Sequence, residues 1–141
     1  MISEFKHMPY ENLNSRQREN YNFHKLAAQL AEYGFNALRL SDDWQGADLI
    51  ACHIDGNTFL KVQLKGRFCI DKKYIGKDIY IAFRKDDDWY LYPHDELSKF
   101  VDQADKVNGS ISWSENQSYS WPSPPKWALD ELAKHKLIPR D

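Results

Sequence analysis

The stretch that decides the fold is residues 47–65, ADLIACHIDGNTFLKVQLK. It contains two strand-like runs, 47–53 and 58–65, and the Asp55-Gly56-Asn57 sequence between them is typical of a hairpin turn. The second run alternates in polarity, so that apolar side chains share one face of the strand and polar ones the other. The apolar set is Leu60, Val62 and Leu64; the polar set is Lys61, Gln63 and Lys65. The stretch therefore predicts a hairpin with one apolar face and one polar face.

The flanking sequence predicts helices on both sides of a sheet. Apolar residues at helical spacing predict a helix from about Ser15 to Tyr33, with Gly34 as its left-handed C-terminal cap. We also expect a turn at Asn108-Gly109, strands over 36–40, 79–83 and 89–92, and helices over 94–105 and 125–135. The first three strands follow one another too closely for crossover helices, which makes them an antiparallel meander. The predicted fold class is α/β (α+β), a mixed central sheet flanked by helices, with an N-terminal helix before a three-strand meander.

Length and composition set the broad class of protein. A chain of 141 residues and 16.6 kDa is expected to form a single domain, with a core over about residues 14–105 and an aromatic, proline-rich extension with a final helix over about 106–141. The N-terminus has no apolar run, and no stretch has the roughly 20 apolar residues needed to span a bilayer. Two cysteines, Cys52 and Cys69, suit a reducing compartment. We expect a soluble cytoplasmic protein with no membrane partner.

Charge is distributed unevenly along the chain. A net charge of -2 and a pI near 6.2 exclude binding to nucleic acid through global charge alone. The segment Lys61–Lys77 has six basic residues and one acid, a local charge of +5. Its Phe68 and Tyr74 either stack on bases or tuck into the core under a solvated basic loop, and we favour the first for a mobile loop bounded by glycines. The predicted nucleic-acid-binding residues are Lys61, Arg67, Lys72, Lys73 and Lys77.

Two carboxylates break the polarity pattern of their elements. Asp48 opens a strand that is otherwise apolar on both faces, and a buried charge without a partner is costly. Lys65, across the hairpin, is the expected partner, and a structural ion pair is the simple interpretation. Glu19 extends the apolar stripe of the first helix by one turn, which points it toward the sheet. Considered alone, Glu19 fits better as a half-exposed residue that interacts with the helix dipole.

These residues together resemble a known active-site signature. Glu19 on the helix, Asp48 at the start of a strand, and Gln63-x-Lys65 on the next strand resemble the PD-(D/E)xK (restriction-endonuclease-like) nuclease superfamily. The resemblance spans about residues 16–92 and is strongest to Holliday-junction resolvases and small tRNA-intron homing endonucleases. Ala47 stands where the motif has proline, and Gln63 stands where most members have glutamate, which removes one negative charge.

The resemblance implies a metal-dependent endonuclease that hydrolyses phosphodiester bonds in duplex or branched DNA. Its implied catalytic residues are Glu19, Asp48, Gln63 and Lys65. The first three would bind Mg²⁺, with Mn²⁺ as a substitute, and Lys65 would lie beside the scissile phosphate. Asp42 or Asp43 would replace Glu19 as a ligand if Glu19 points away.

Two further expectations follow from this assignment. Since one site addresses one strand, cutting both strands requires at least a homodimer. Gln63 and Ala47 favour an alternative, a non-catalytic nucleic-acid-binding or protein-interaction domain on the same fold.

Overall fold

The computed structural model describes residues 1–107 and 109–140. Within this part of the chain a five-stranded mixed sheet is flanked by helices, which confirms the predicted fold class. The predicted turn at Asn108-Gly109 includes Asn108, which lies outside the described residues. The elements are α1 (Ser15–Ala31), β1 (Phe35–Trp44), β2 (Ala47–His53), β3 (Phe59–Leu64), β4 (Cys69–Asp71), β5 (Ile79–Lys85), β6 (Asp88–Pro93), α2 (His94–Ala104), α3 (Ile111–Ser114), β7 (Ser118–Ser120) and α4 (Lys126–Ala133).

Local interactions define both ends of α1, through side chains at its N-terminus and through a glycine backbone conformation beyond its C-terminus. At its N-terminus the Asn14 side chain accepts a hydrogen bond from the Gln17 backbone N–H at 2.9 Å, and the Gln17 side chain accepts one from the Asn14 N–H. This reciprocal capping box satisfies two N–H groups that the helix itself leaves unpaired. Beyond the C-terminus Gly34 has φ +84°, a left-handed conformation that favours glycine, as the sequence predicts.

The sheet has the strand order β1-β2-β3-β5-β6. The first three strands pair antiparallel, which confirms the predicted meander, and Leu49 lies opposite Val62 in the β2–β3 pair. β3 and β5 pair in parallel, so the chain between them must cross over before it re-enters the sheet. β1 is longer than predicted, because Ser41, Asp42 and Asp43 look like turn residues but lie in a strand whose pairing is interrupted between Arg39 and Trp44.

Each face of the sheet covers its own apolar cluster. Leu26 and Leu30 of α1 pack with Leu49 and Val62 on one face, so the apolar side of the predicted hairpin faces α1. The opposite face packs against the C-terminal half of the chain and the crossover segment. Its buried residues include Phe68, Ile70, Tyr74, Ile81, Phe83, Tyr92, Leu97, Val101, Ala128 and Leu132.

The crossover segment 66–77 is ordered and partly buried, so the prediction of a mobile loop is wrong. It forms β4 and a 3-10 helix at Lys72–Tyr74. Phe68 and Tyr74 are 0% and 2% exposed, which leaves neither ring able to stack on a base and makes the alternative interpretation correct. The reason lies far along the chain: β7 pairs with β4, and Trp121 stacks on Phe68 with ring centroids 4.6 Å apart.

The described residues include no helix with the length and apolar character needed to cross a membrane.

Candidate functional site

A cavity of about 560 Å³ lies where the first turns of α1 meet the sheet. Glu19 from α1, Asp48 from β2, Gln63 from β3 and Lys65 just beyond β3 all line it. The hairpin explains three of the four positions: one step beyond the Leu49–Val62 pair, Asp48 faces Gln63, and Lys65 follows two residues later on the same side of the strand. Residues that are distant in sequence therefore share one cavity wall.

Asp48 is the most deeply set carboxylate of the cavity. Burial raises the pKa of Asp48, and the negative charges of Asp43 and Glu19 raise it further. A hydrogen bond from the Leu64 backbone N–H to Asp48 Oδ2, 2.9 Å long, and the Lys65 ammonium lower it. Because burial outweighs these two contributions, the charged form of Asp48 lacks full compensation from the protein.

The expected ion pair between Asp48 and Lys65 is absent from the described part of the chain, where no N···O distance between them falls within 4 Å. The partner of Asp48 is a backbone N–H instead. Antiparallel geometry accounts for the difference, since Gln63 is the directly opposite neighbour and Lys65 is only a diagonal one. The Lys65 Nζ lies 5.5 Å from the centre of the Tyr74 ring, so its ammonium remains at the cavity wall.

Two amide oxygens of the cavity have no hydrogen-bond partner among the described residues. They are Gln63 Oε1 and Asn22 Oδ1; both atoms are buried, and both residues line the cavity. The Asn22 amide group donates to the Tyr10 hydroxyl at 3.0 Å, which fixes the orientation of the side chain. A buried polar atom without a partner costs about 1–3 kcal/mol. Two such oxygens beside a poorly compensated carboxylate are the clearest chemical feature of this cavity.

Glu19 lies at the rim of the cavity and is exposed. Its negative charge is close enough to Asp48 to raise the pKa of that carboxyl. Glu19 is therefore exposed near the helix N-terminus and also lines the cavity at the sheet, which are the two alternatives considered in the sequence analysis. Asp42 and Asp43 also line the cavity. Asp43 Oδ1 accepts a hydrogen bond from the Gly46 N–H at 2.7 Å, which gives this carboxylate a structural role in the turn between β1 and β2.

The donor set fits a divalent cation that depends on its substrate for ligands. No group of three or more His, Cys, Asp and Glu side chains in the described ranges could hold a metal ion by itself. Mg²⁺ needs no such group, since it is often held by one or two carboxylates together with water and substrate phosphates. Asp48 with the unpartnered oxygen of Gln63 meets this requirement, and Glu19 and Asn22 are further oxygen-bearing residues that line the same cavity.

The predicted nucleic-acid-binding residues have different surroundings. Lys61 Nζ donates to the Lys77 carbonyl, the Lys72 ammonium lies 4.7 Å from the centre of the Trp113 ring, and Lys73 Nζ lies 3.8 Å from Asp71 Oδ2 and 5.1 Å from the centre of the Tyr74 ring that Lys65 also contacts. Arg67 lines a smaller cleft next to the cavity together with Lys65. It is exposed and makes no hydrogen bond or ion pair within the described residues.

Sequence reasoning missed Asn22. The available signal was its position one helical turn after Glu19, which places both side chains on the same face of α1. Nothing in a single asparagine distinguishes an orphaned oxygen from a solvated one, so this signal alone is weak. The hydrogen bond to Tyr10 and the burial of Oδ1 became visible only in the folded chain.

Comparison with known proteins gives distant structural likenesses only. No family model matches the chain, and no curated protein does. Hjc, a Holliday junction resolvase from Archaeoglobus fulgidus, is 20% identical with a TM-score of 0.41, over 50% of this chain and 74% of that one. The bacterial homing endonuclease I-Ssp6803I is 14% identical with a TM-score of 0.47, over 86% of this chain and 95% of that one. One is a Holliday junction resolvase and the other a homing endonuclease, the two kinds of protein to which the sequence shows its strongest resemblance. At these scores the likenesses carry no argument about the reaction, which must be argued from the cavity itself.

Proposed function

We propose that this chain is a metal-dependent endonuclease that hydrolyses phosphodiester bonds in DNA. The observation that carries the proposal is the convergence of Glu19, Asp48, Gln63 and Lys65 on one cavity. Hydrolysis of a phosphodiester passes through a dianionic transition state, which cations stabilise. The carboxylate and amide oxygens can bind a metal cation, and the ammonium of Lys65 is a second cation.

Each residue has a distinct part in this proposal. Asp48 and the Gln63 carbonyl oxygen would hold the cation, and Glu19 would contribute directly or through water. Asn22 Oδ1, on the helix side of the cavity, would be a further oxygen ligand. When bound, Mg²⁺ or Mn²⁺ supplies a polarised phosphoryl oxygen and a more acidic water. Because few carboxylates are present, the protein alone binds the cation weakly, and the substrate phosphate completes the site.

Lys65 serves the phosphate rather than the carboxylates. It makes no ion pair within 4 Å in the described part of the chain, and its ammonium lies at the wall shared by the cavity and the cleft beside it. An unpaired ammonium in this position shields charge that develops on the phosphoryl oxygens and orients the attacking water. Lys65→Ala therefore removes stabilisation of the transition state and leaves the oxygen ligands in place.

The test is cleavage of supercoiled plasmid and of branched DNA during titration with Mg²⁺ or Mn²⁺. We expect cleavage that requires the metal and that falls at least about 100-fold in Lys65→Ala, the scale observed when one charge-stabilising donor is removed. Lys99→Ala, an exposed lysine on α2, is the matched control and should cleave like the wild type. Thermal unfolding of both variants checks that the fold is intact.

A second candidate function is a nucleic-acid-binding or protein-interaction domain without catalysis. The neutral side chain at Gln63 favours it, since an amide attracts a cation less than the expected carboxylate does. Binding of DNA without cleavage of any substrate, in either metal and over the full titration, would establish this candidate and exclude the nuclease.

A further inference from the structure

A second cleft, of about 270 Å³, adjoins the cavity. Lys65 and Gly66 belong to the walls of both. β4 of the crossover segment and β7 pair side by side, and residues of both strands line the cleft together with Arg67. The C-terminal part of the chain thus builds part of a cleft that continues from the candidate active site.

The uncompensated charge of this cleft is positive. Arg67 is exposed and makes no hydrogen bond or ion pair within the described residues, and Lys65 is likewise free of ion pairs there. Asp71 also lines the cleft. Its Oδ1 accepts from the Lys73 N–H at 2.9 Å and its Oδ2 lies 3.8 Å from Lys73 Nζ, so Lys73 offsets part of its charge. Lys65, Arg67 and Lys73 outnumber this one carboxylate, and an anion that enters the cleft therefore meets a net positive charge.

The β7 strand supplies hydroxyl groups to the cleft. Ser118 and Ser120 lie in alternate positions of β7, so their side chains point to the same face of the strand. Neither hydroxyl makes a hydrogen bond within the described residues. Guanidinium, ammonium and hydroxyl groups are the side chains that bind nucleic-acid phosphates. The cleft has the chemistry of a phosphate site.

Gly66 lies where the cavity and the cleft meet, since it lines both of them. A Cβ built at this position would meet no atom within 4 Å, so a side chain there would project into open space without a clash. The φ of Gly66 is not among the positive values, and a larger residue is compatible with its backbone. Gly66 is therefore a position where the connection can be blocked without strain in the fold.

We propose that this cleft binds the phosphodiester next to the one held at Lys65, on the same nucleic-acid strand. Arg67 makes a paired contact with two phosphate oxygens, and Ser118 and Ser120 donate hydrogen bonds from β7. The inference deepens the proposed function, on which it rests, because it defines the path of the strand beyond the cut. It also assigns a substrate-binding role to the β7 segment.

The experiment measures binding of a labelled DNA duplex without divalent metal, at several salt concentrations. Arg67→Ala should weaken binding about tenfold, the scale of one charge-assisted hydrogen-bonded contact, and lower the salt slope by about one. The Ser118→Ala/Ser120→Ala double variant should weaken binding with the slope unchanged, since it removes no charge. Gly66→Leu should weaken binding by obstructing the passage. Lys99→Ala is the control and loses at most one nonspecific contact.

Backbone amide NMR signals distinguish the sources of phosphate. The signals of Gly66 and of Ser118–Ser120 should shift with the oligonucleotide and much less with inorganic phosphate at equal phosphate concentration. Equal shifts with both ligands would define a free-anion site and overturn the proposal, as would unchanged affinity and salt slope in Arg67→Ala and Gly66→Leu. Since these measurements contain no metal and no cleavage, an inactive protein that still shows the Arg67 effect would refute the nuclease and leave the cleft assignment standing.

Discussion

Gln63 occupies the position at which the charge of the candidate metal site is set. Its Oε1 is buried without a partner beside Asp48, a carboxyl whose pKa is raised by burial. The amide keeps an oxygen ligand but contributes no net charge. A neutral oxygen in this position limits the repulsion that Asp48 would experience in the metal-free protein, and it also limits the attraction for a divalent cation.

Substitutions at Gln63 should therefore change metal affinity in opposite directions. We expect Gln63→Glu to tighten Mg²⁺ binding about tenfold or more, through the added charge, and to lower the stability of the metal-free protein by repulsion with Asp48. Gln63→Leu should weaken Mg²⁺ binding and raise the free energy of unfolding by about 1 kcal/mol, because it removes an unsatisfied buried oxygen. Isothermal titration calorimetry and urea unfolding measure the two effects.

Gln29 provides the matched control for this comparison. Its Oε1 is also buried without a partner, but Gln29 does not line the cavity. Gln29→Leu should raise stability in the same way and leave the Mg²⁺ affinity unchanged. An affinity that is the same in Gln63→Glu, Gln63→Leu and Gln29→Leu would remove Gln63 from the metal site.

At the scale of elements, His94 joins the crossover segment to α2. Its side chain is fully buried. Nε2 accepts a hydrogen bond from the Asp71 N–H at 3.0 Å, and Nδ1 lies 3.1 Å from Asp95 Oδ1, which identifies the tautomer with the proton on Nδ1. The contacts hold β4, and with it the wall of the second cleft, against the start of α2.

This connection should make stability depend on pH. Burial lowers the pKa of His94 below its ordinary value of 6.5, against the opposing effects of Asp95 and Asp71. The folded chain therefore releases a proton that the unfolded chain retains below pH 6.5. The contribution of His94 is complete above that pH and declines as the pH falls toward the folded-state value. Urea unfolding between pH 7.5 and 5 should show a smaller decline in His94→Gln than in the wild type.

The exposed His7 supplies the comparison for that measurement. His7→Gln should follow the wild-type pH profile, because the exposed His7 side chain makes no hydrogen bond or ion pair within the described residues. Parallel profiles for His94→Gln and the wild type would show that the buried imidazole does not control stability in this range.

At the scale of the whole molecule, the candidate site addresses one strand, so the proposed function requires two chains for a double-strand break. We expect a plasmid to pass through a nicked form before it becomes linear. Mixing the wild type with an excess of Lys65→Ala should suppress the linear product more strongly than the nicked one, because mixed dimers retain a single working site. Sedimentation analysis with bound DNA should show two chains. A linear product that falls in proportion to the nicked one would contradict a dimer.

The hairpin of β2 and β3 could be predicted because the alternation of apolar and polar side chains along a strand is visible in the local sequence. The same alternation places Asp48, Gln63 and Lys65 on one side of the sheet, which is why these residues of the candidate site could be predicted together. The partner of Asp48 could not, because it is a backbone N–H group that every residue but proline carries. The burial of Phe68 and Tyr74 was missed because their ring contacts are distant in sequence: Phe68 stacks on Trp121, and Tyr74 packs edge-on against His94 of α2.

Lys65 lines both the cavity and the second cleft, so the candidate site is not symmetrical about the position of the cut. A strand that runs from the cavity to the second cleft passes Lys65 once, and its two halves are therefore bound unequally after the backbone is cut. If the second cleft binds the flanking phosphate as proposed, the half that carries this phosphate keeps its contacts with Arg67 and the serine hydroxyls, whereas the other half keeps only the contacts on the metal side. The two products should consequently dissociate in a fixed order. Dissociation of the more tightly bound fragment would then limit the rate of multiple turnover.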